Sequence, residues 1–96
     1  MNIAIDYDDT ITADPELFSL IIRYFQLAKH RVFCITARNA TLANSMEIKE
    51  TFRRLEIVDV PVHFTGGEPK IEYAKRNALA IDIWIDDNPF SLTVGH

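Results

Sequence analysis

The sequence predicts an α/β fold, a three-layer Rossmann-like parallel sheet with helices on both faces, in a single domain spanning residues 1–96. Three observations point to it. Short runs rich in strand formers alternate with longer stretches of helical periodicity, in the order β-α-β-α-β-α-β. Such alternation means right-handed crossovers and parallel strands. The chain has 96 residues, enough for one domain, and buries only about 60–65% of the surface its unfolded form exposes, so the core must be economical. Finally, 48% of residues are apolar and 25% charged, the balance of a globular protein with enough apolar surface to collapse.

Taken in order, residues 2–6 (Asn-Ile-Ala-Ile-Asp) are a short apolar run ending in acids and read as a buried strand. Asp14-Pro15-Glu16 is a helix start, with Asp as N-cap, Pro at the first helical position and an acid in the first turn. Leu17, Leu20, Ile21, Tyr24, Phe25 and Ala28 then recur at helical spacing, and Lys29, His30 and Arg31 suit the negative C-terminal end. Residues 32–36 are a second strand. Residues 40 to 55 read as a second helix, with Leu42, Met46, Phe52 and Leu55 on one side. Residues 60–64 form a weaker strand, where Pro61 suits the first position or an edge. Gly66-Gly67 is a loop, where glycine is most simply backbone accommodation. Residues 69–79 are a third helix with Ile71, Ala74 and Ala78 inward. Residues 81–85 form a last strand ending in Asp86-Asp87, and Asn88-Pro89 is a turn. Residues 88–96 supply at most a short fifth strand.

Composition narrows the function classes. No apolar span approaches the roughly 20 residues of a membrane helix, and the acid at position 6 speaks against a secretory leader. One cysteine, Cys34, makes neither an internal disulfide nor a cysteine zinc site. It reads as a small core residue, and a reducing cytoplasm is the simplest location. A net charge of −4 argues against strong non-specific nucleic-acid binding. The distribution of acids says more: seven of the eight aspartates fall at positions 6, 8, 9 and 14, or at 82, 86 and 87.

In parallel sheets, ligands bind at the carboxyl ends of the strands. The loops there carry Asp6-Tyr7-Asp8-Asp9, Thr36-Ala37-Arg38, Gly66-Gly67 leading to Lys70, and Asp86-Asp87. Carboxylates packed together repel unless a cation joins them. A hard divalent ion suits oxygen ligands, and Mg²⁺ keeps waters and shares substrate phosphate. Thr36, Lys70 and Arg38 add a hydroxyl, an ammonium and a guanidinium, all phosphate-binding groups. Together they describe a phosphoryl-transfer site.

Asp6-x-Asp8-x-Thr10-Ile11 after an apolar strand resembles motif I of the haloacid dehalogenase (HAD) superfamily. Thr36 resembles motif II, Lys70 motif III, and Asp86-Asp87 motif IV, in order over residues 2–87. The resemblance implies that Asp6 attacks phosphorus to form an aspartyl-phosphate. It implies that Asp8 protonates the leaving oxygen and then activates water, the pattern of the family's phosphatases. Mg²⁺ would be held by the Asp6 side chain, the Asp8 backbone carbonyl and Asp86, with Asp87 direct or through water. Thr36 and Lys70 would hold the phosphoryl group, each positioned donor being worth about 3 kcal/mol. The family's usual cap has no room here, since motif I runs straight into a helix at Asp14. The expectation is a minimal capless core and a phosphomonoesterase with an open site. It would take a nucleotide, a nucleic-acid end or a phosphoprotein, and turnover would be slow because water is poorly excluded. A second subunit over the bare sheet edge is the expected oligomer, if there is one.

Plainer readings stand beside these. Asp9 reads as a solvated turn residue and Asp82 as structural. Arg38 is either a substrate contact or a solvated loop charge. Lys70 has Lys75 and Arg76 close behind it, as a surface lysine would. Trp84 reads as core, and His30, His63 and His96 show no ligand spacing. Two other functions are open. A phospho-receiver domain needs an acid at the end of its third strand, where this chain has His63-Phe64-Thr65. A non-catalytic metal-binding or regulatory protein of the same fold is the alternative to an enzyme.

Overall fold

In the computed structural model, which describes residues 1–95, β1 (Asn2–Ile5) has a parallel partner on each side. Burial on both faces is why its sequence is a continuous apolar run rather than an alternating one. The other elements are α1 (Pro15–Leu27), β2 (Arg31–Thr36), α2 (Leu42–Arg54), β3 (Val62–Phe64), α3 (Lys70–Arg76), β4 (Ile83–Ile85) and α4 (Phe90–Thr93), with a 3₁₀ turn at Ile11–Ala13. The four strands form one parallel sheet in the order β3-β2-β1-β4. His96 lies outside the described residues. No described helix is long and apolar enough to cross a membrane.

Alternate residues of β1 feed two cores. Ile3 and Ile5 join Ile22 of α1 and Ile48 and Phe52 of α2, while Ala4 joins Phe33, Ile35, Leu79 and Trp84 on the other face. There α3 closes the layer, with Tyr73 edge-on to His63. Cys34 is fully buried in the larger core, and burial pushes its thiol far above the usual range. Asp82 is structural: its carboxylate accepts the Asn2 backbone N–H at 2.7 Å, tying the lead-in of β4 to β1.

Both long helices begin as their sequences dictate. The Asp14 carboxylate accepts the Leu17 N–H at 3.1 Å with Pro15 following, and Thr41 Oγ1 accepts the Asn44 N–H at 3.1 Å. Their inward faces differ from the expected ones. On α1, Ile22 is buried with Phe18 and Phe25 packed beside it, whereas Leu17, Leu20, Tyr24 and Leu27 form an exposed stripe. The helix carries more apolar residues than one face of a sheet can cover. On α2, Ile48 and Phe52 face inward and Leu42 and Met46 are exposed.

α1, α2 and α3 all end in a Schellman closure: His30 N–H to Phe25 C=O, Ile57 to Phe52, and Leu79 to Ala74, with the preceding N–H bonded back as well. The residue in the left-handed region is not glycine in any of them: Lys29 has φ 70°, Glu56 57° and Ala78 57°. Ala78 therefore ends α3 instead of facing the core from within it. Left-handed backbone is strained for residues with a Cβ. Lys29→Gly and Ala78→Gly should each stabilise the fold by about 0.5–1 kcal/mol. Urea melts that show both variants weaker than the parent would mean that the side chains hold more than the strain costs.

Beyond β4 there is no fifth strand among the described residues. The Asn88 carbonyl and side chain accept the N–H groups of Ser91 and Phe90, and the chain turns into the short α4.

Candidate phosphoryl-transfer and metal site

Strands β1, β2 and β3 succeed one another in one direction across the sheet; the chain then crosses back to lay β4 on the free side of β1. Crevices form at the carboxyl ends of strands where the order reverses in this way. Asp6 follows β1 and Asp86 follows β4, so both stand at that crevice. The pairing holds them together, since the Asp6 N–H donates to the Ile85 carbonyl at 2.9 Å. A cleft of about 240 Å³ opens here, lined by Asp6, Asp8, Arg38, Lys70, Asp86 and Asp87 among others. A roomier groove of about 430 Å³ runs between α2 and the β3 edge, mostly apolar with Lys49 and Arg53 beside it. Convergent polar chemistry, not volume, singles out the cleft.

Lys70 sits at the centre. It is 1% exposed, and its Nζ donates to Asp6 Oδ1 at 2.8 Å and to Asp86 Oδ2 at 2.5 Å. α3 begins at Lys70, delivered by the Gly66-Gly67 turn, where both residues have positive φ. Asp86 is held further by Asn88 N–H on Oδ1 at 2.9 Å and by Ser91 Oγ on Oδ2 at 3.0 Å. Thr10 Oγ1 lies 3.4 Å from Asp6 Oδ2 and 3.3 Å from Asp87 Oδ1, and accepts the Asp87 N–H at 3.2 Å. Burial pushes the Asp6 carboxyl up to about 6, against the pull of the Lys70 ammonium and with the Asp86 charge adding to the rise.

Asp6, Asp86 and Asp87 each offer a carboxylate oxygen, all within 4.8 Å of one another. Octahedral ligands about 2.1 Å from an ion stand about 3–4 Å apart, so the set is close to what one small ion needs. Three carboxylates against one ammonium leave two uncompensated negative charges, the charge of a divalent cation. The donor set is all oxygen, the chemistry of a hard cation and not of a soft metal.

Asp8 and Arg38 line the cleft but engage each other. The Arg38 Nε and Nη2 donate to the two Asp8 oxygens, each at 2.8 Å. The Asp8 side chain is therefore outside the three-carboxylate group. Asp9 is an exposed turn residue with φ 60°. Thr36, expected to hold phosphate, is fully buried and does not line the cleft; its Oγ1 accepts the Arg38 backbone N–H at 3.3 Å. As the last residue of an inner strand it points into the layer and braces the loop from below.

Ser91 and Asn88 emerge only from the structure, and Thr10 gains a role that its place in the motif alone does not give. The legible signal was Asn88-Pro89, which starts a turn and so brings a hydroxyl back onto Asp86. Comparison with protein-family models, curated proteins and solved structures gave no match.

Proposed function

We propose that the chain is a Mg²⁺-dependent phosphohydrolase with a minimal, capless HAD-like core, cleaving phosphomonoesters through an aspartyl-phosphate. The observation that carries this reading is the meeting of Asp6, Lys70, Asp86 and Asp87 at one cleft, where charge balance calls for a divalent cation. Asp6, Asp86 and Asp87 would hold Mg²⁺, which when bound offsets charge on the phosphoryl oxygens. In the first step Asp6 Oδ attacks phosphorus, the bond to the leaving oxygen breaks, and Asp8 gives that oxygen its proton. In the second, water attacks the phosphorus, Asp8 takes a proton from it, and inorganic phosphate leaves Asp6 free. Lys70 lies beside the nucleophile, where its ammonium stabilises the transferring group. Thr36 acts by fixing the Ala37-Arg38 loop. The open cleft suits a nucleotide, a nucleic-acid end or a phosphoprotein.

One observation favours the non-catalytic, regulatory reading: each acid of the site except Asp9 already has a partner within the chain, Lys70 for Asp6 and Asp86, Arg38 for Asp8, and Thr10 for Asp87. Phosphate release separates the two. With Mg²⁺ the protein should hydrolyse p-nitrophenyl phosphate and at least one member of a panel of nucleotides, phosphate-ended oligonucleotides and phosphopeptides, and chelation should stop it. Release no faster than the blank across the panel, with Mg²⁺ binding retained by calorimetry, would leave the regulatory reading.

A further inference from the structure

Arg38 is fixed from the side away from the cleft. Its Nη2 pairs with Glu47 Oε2 at 2.8 Å and its Nη1 donates to Asn44 Oδ1 at 3.2 Å, both from α2. The Tyr7 ring lies 5.2 Å beneath the guanidinium carbon, and Tyr7 is itself pinned by a 2.8 Å hydrogen bond between its hydroxyl and Thr51. Asn44 is braced in turn, its amide donating to the Asn39 carbonyl at 2.9 Å. The guanidinium thus has a place set by α2 and Tyr7 without help from Asp8. Asp8 has no comparable anchor. It precedes a left-handed, exposed residue, and among the described residues its carboxylate bonds only to Arg38.

We propose that Arg38 is a positioning residue for Asp8, with Glu47 and Asn44 acting through it, so that α2 sets where the Asp8 carboxyl meets the leaving oxygen. This rests on the phosphohydrolase reading and differs from a direct phosphate contact by Arg38. A two-pronged contact with the phosphoryl group through Nε and Nη2 would require the fork to leave Asp8, giving up two charge-assisted hydrogen bonds. Holding a proton-transfer group in place is worth having, since a misplacement of about 1 Å costs roughly 10²-fold in rate.

The test is the dependence on leaving group. An alkyl phosphate needs its leaving oxygen protonated, whereas 2,4-dinitrophenyl phosphate loses a stable anion. The ratio kcat/KM runs only to departure of the leaving group, so hydrolysis of phospho-Asp6 does not mask the comparison. Arg38→Lys should lower kcat/KM for the alkyl ester by about 10²-fold and for the dinitrophenyl ester by less than about fivefold, with KM little changed. Glu47→Gln should show the same pattern at about tenfold. Glu47 is 55% exposed, so this variant decides the matter if Arg38→Lys does not fold. Equal losses on both esters, or a raised KM at constant kcat, overturn the proposal and make Arg38 a phosphate ligand. Wild-type protein that cleaves neither ester removes the functional reading and this inference with it, and the control shows that failure before any variant is compared.

Discussion

Asp6→Asn is expected to abolish Mg²⁺-dependent phosphate release, by at least about 10³-fold, and at the same time to make the metal-free protein more stable at neutral pH. In the proposed mechanism the first effect follows from removing the attacking oxygen, without which the remaining groups would hold substrate but form no bond to phosphorus. The second follows from burial. The Asp6 carboxyl titrates near 6 in the fold and near 3.8 when free of it. Below about pH 3 it is protonated in both states and costs nothing. Between pH 4 and 6 the unfolded chain has already released this proton and the folded one has not, so stability falls as pH rises. Above pH 6 the full penalty is present, on the order of 3 kcal/mol. Asn resembles the protonated carboxyl and escapes it. The melting temperatures of variant and wild type should therefore coincide near pH 3, separate between pH 4 and 6 and stay apart at pH 7. Saturating Mg²⁺ should close the gap by stabilising the wild type, by about 2.7 kcal/mol at a hundred times Kd. Undiminished turnover by the variant would remove Asp6 as nucleophile. Melting curves parallel at every pH would show that its carboxylate is not desolvated.

Lys70→Met should have the largest effect on folding. The ammonium is the only cation in contact with the buried carboxylates of Asp6 and Asp86 among the described residues. Deleting one member of a buried charge cluster leaves the others uncompensated, at a cost of about 3–5 kcal/mol. A domain of this size has a total stability of about 5–14 kcal/mol, and each kcal/mol moves its melting temperature by about 4–8 °C. A fall of 15 °C or more is expected without metal. Mg²⁺ at 10 mM should restore a large part of it, because a divalent ion supplies charge to the same oxygens. Combining Lys70→Met with Asp6→Asn should cost less than Lys70→Met alone, a non-additivity expected of residues in one network. A single variant that melts within 3 °C of wild type in EDTA would show that Lys70 does not neutralise the cluster.

Much of this was readable along the chain. Asp14-Pro15 fixed the start of α1, Asp6 and Asp86 could be placed at strand ends because apolar runs stop before them, and Lys70 could be placed at a helix start after paired glycines. Less readable was which side of each helix would be covered. Leu17, Leu20 and Tyr24 have helical spacing as regular as that of Phe18, Ile22 and Phe25, yet the sheet takes the second set. Periodicity reports that a face is apolar; burial depends on what lies opposite. Least readable were the partners of Arg38. Glu47 and Asn44 are ordinary polar residues of an amphipathic helix until α2 is laid beside the rim.

Local chemistry was thus enough for the alternation of strands and helices from β1 to β4, the Asp14 cap of α1 and the identity of the acids. Their meeting was not local. Asp6 and Asp86 are eighty residues apart, and they converge because the chain, after β3, returns across the sheet to pair β4 with β1. Strand pairing is a choice among long-range closures, made by the burial that each arrangement achieves as a whole, and no window of sequence contains it.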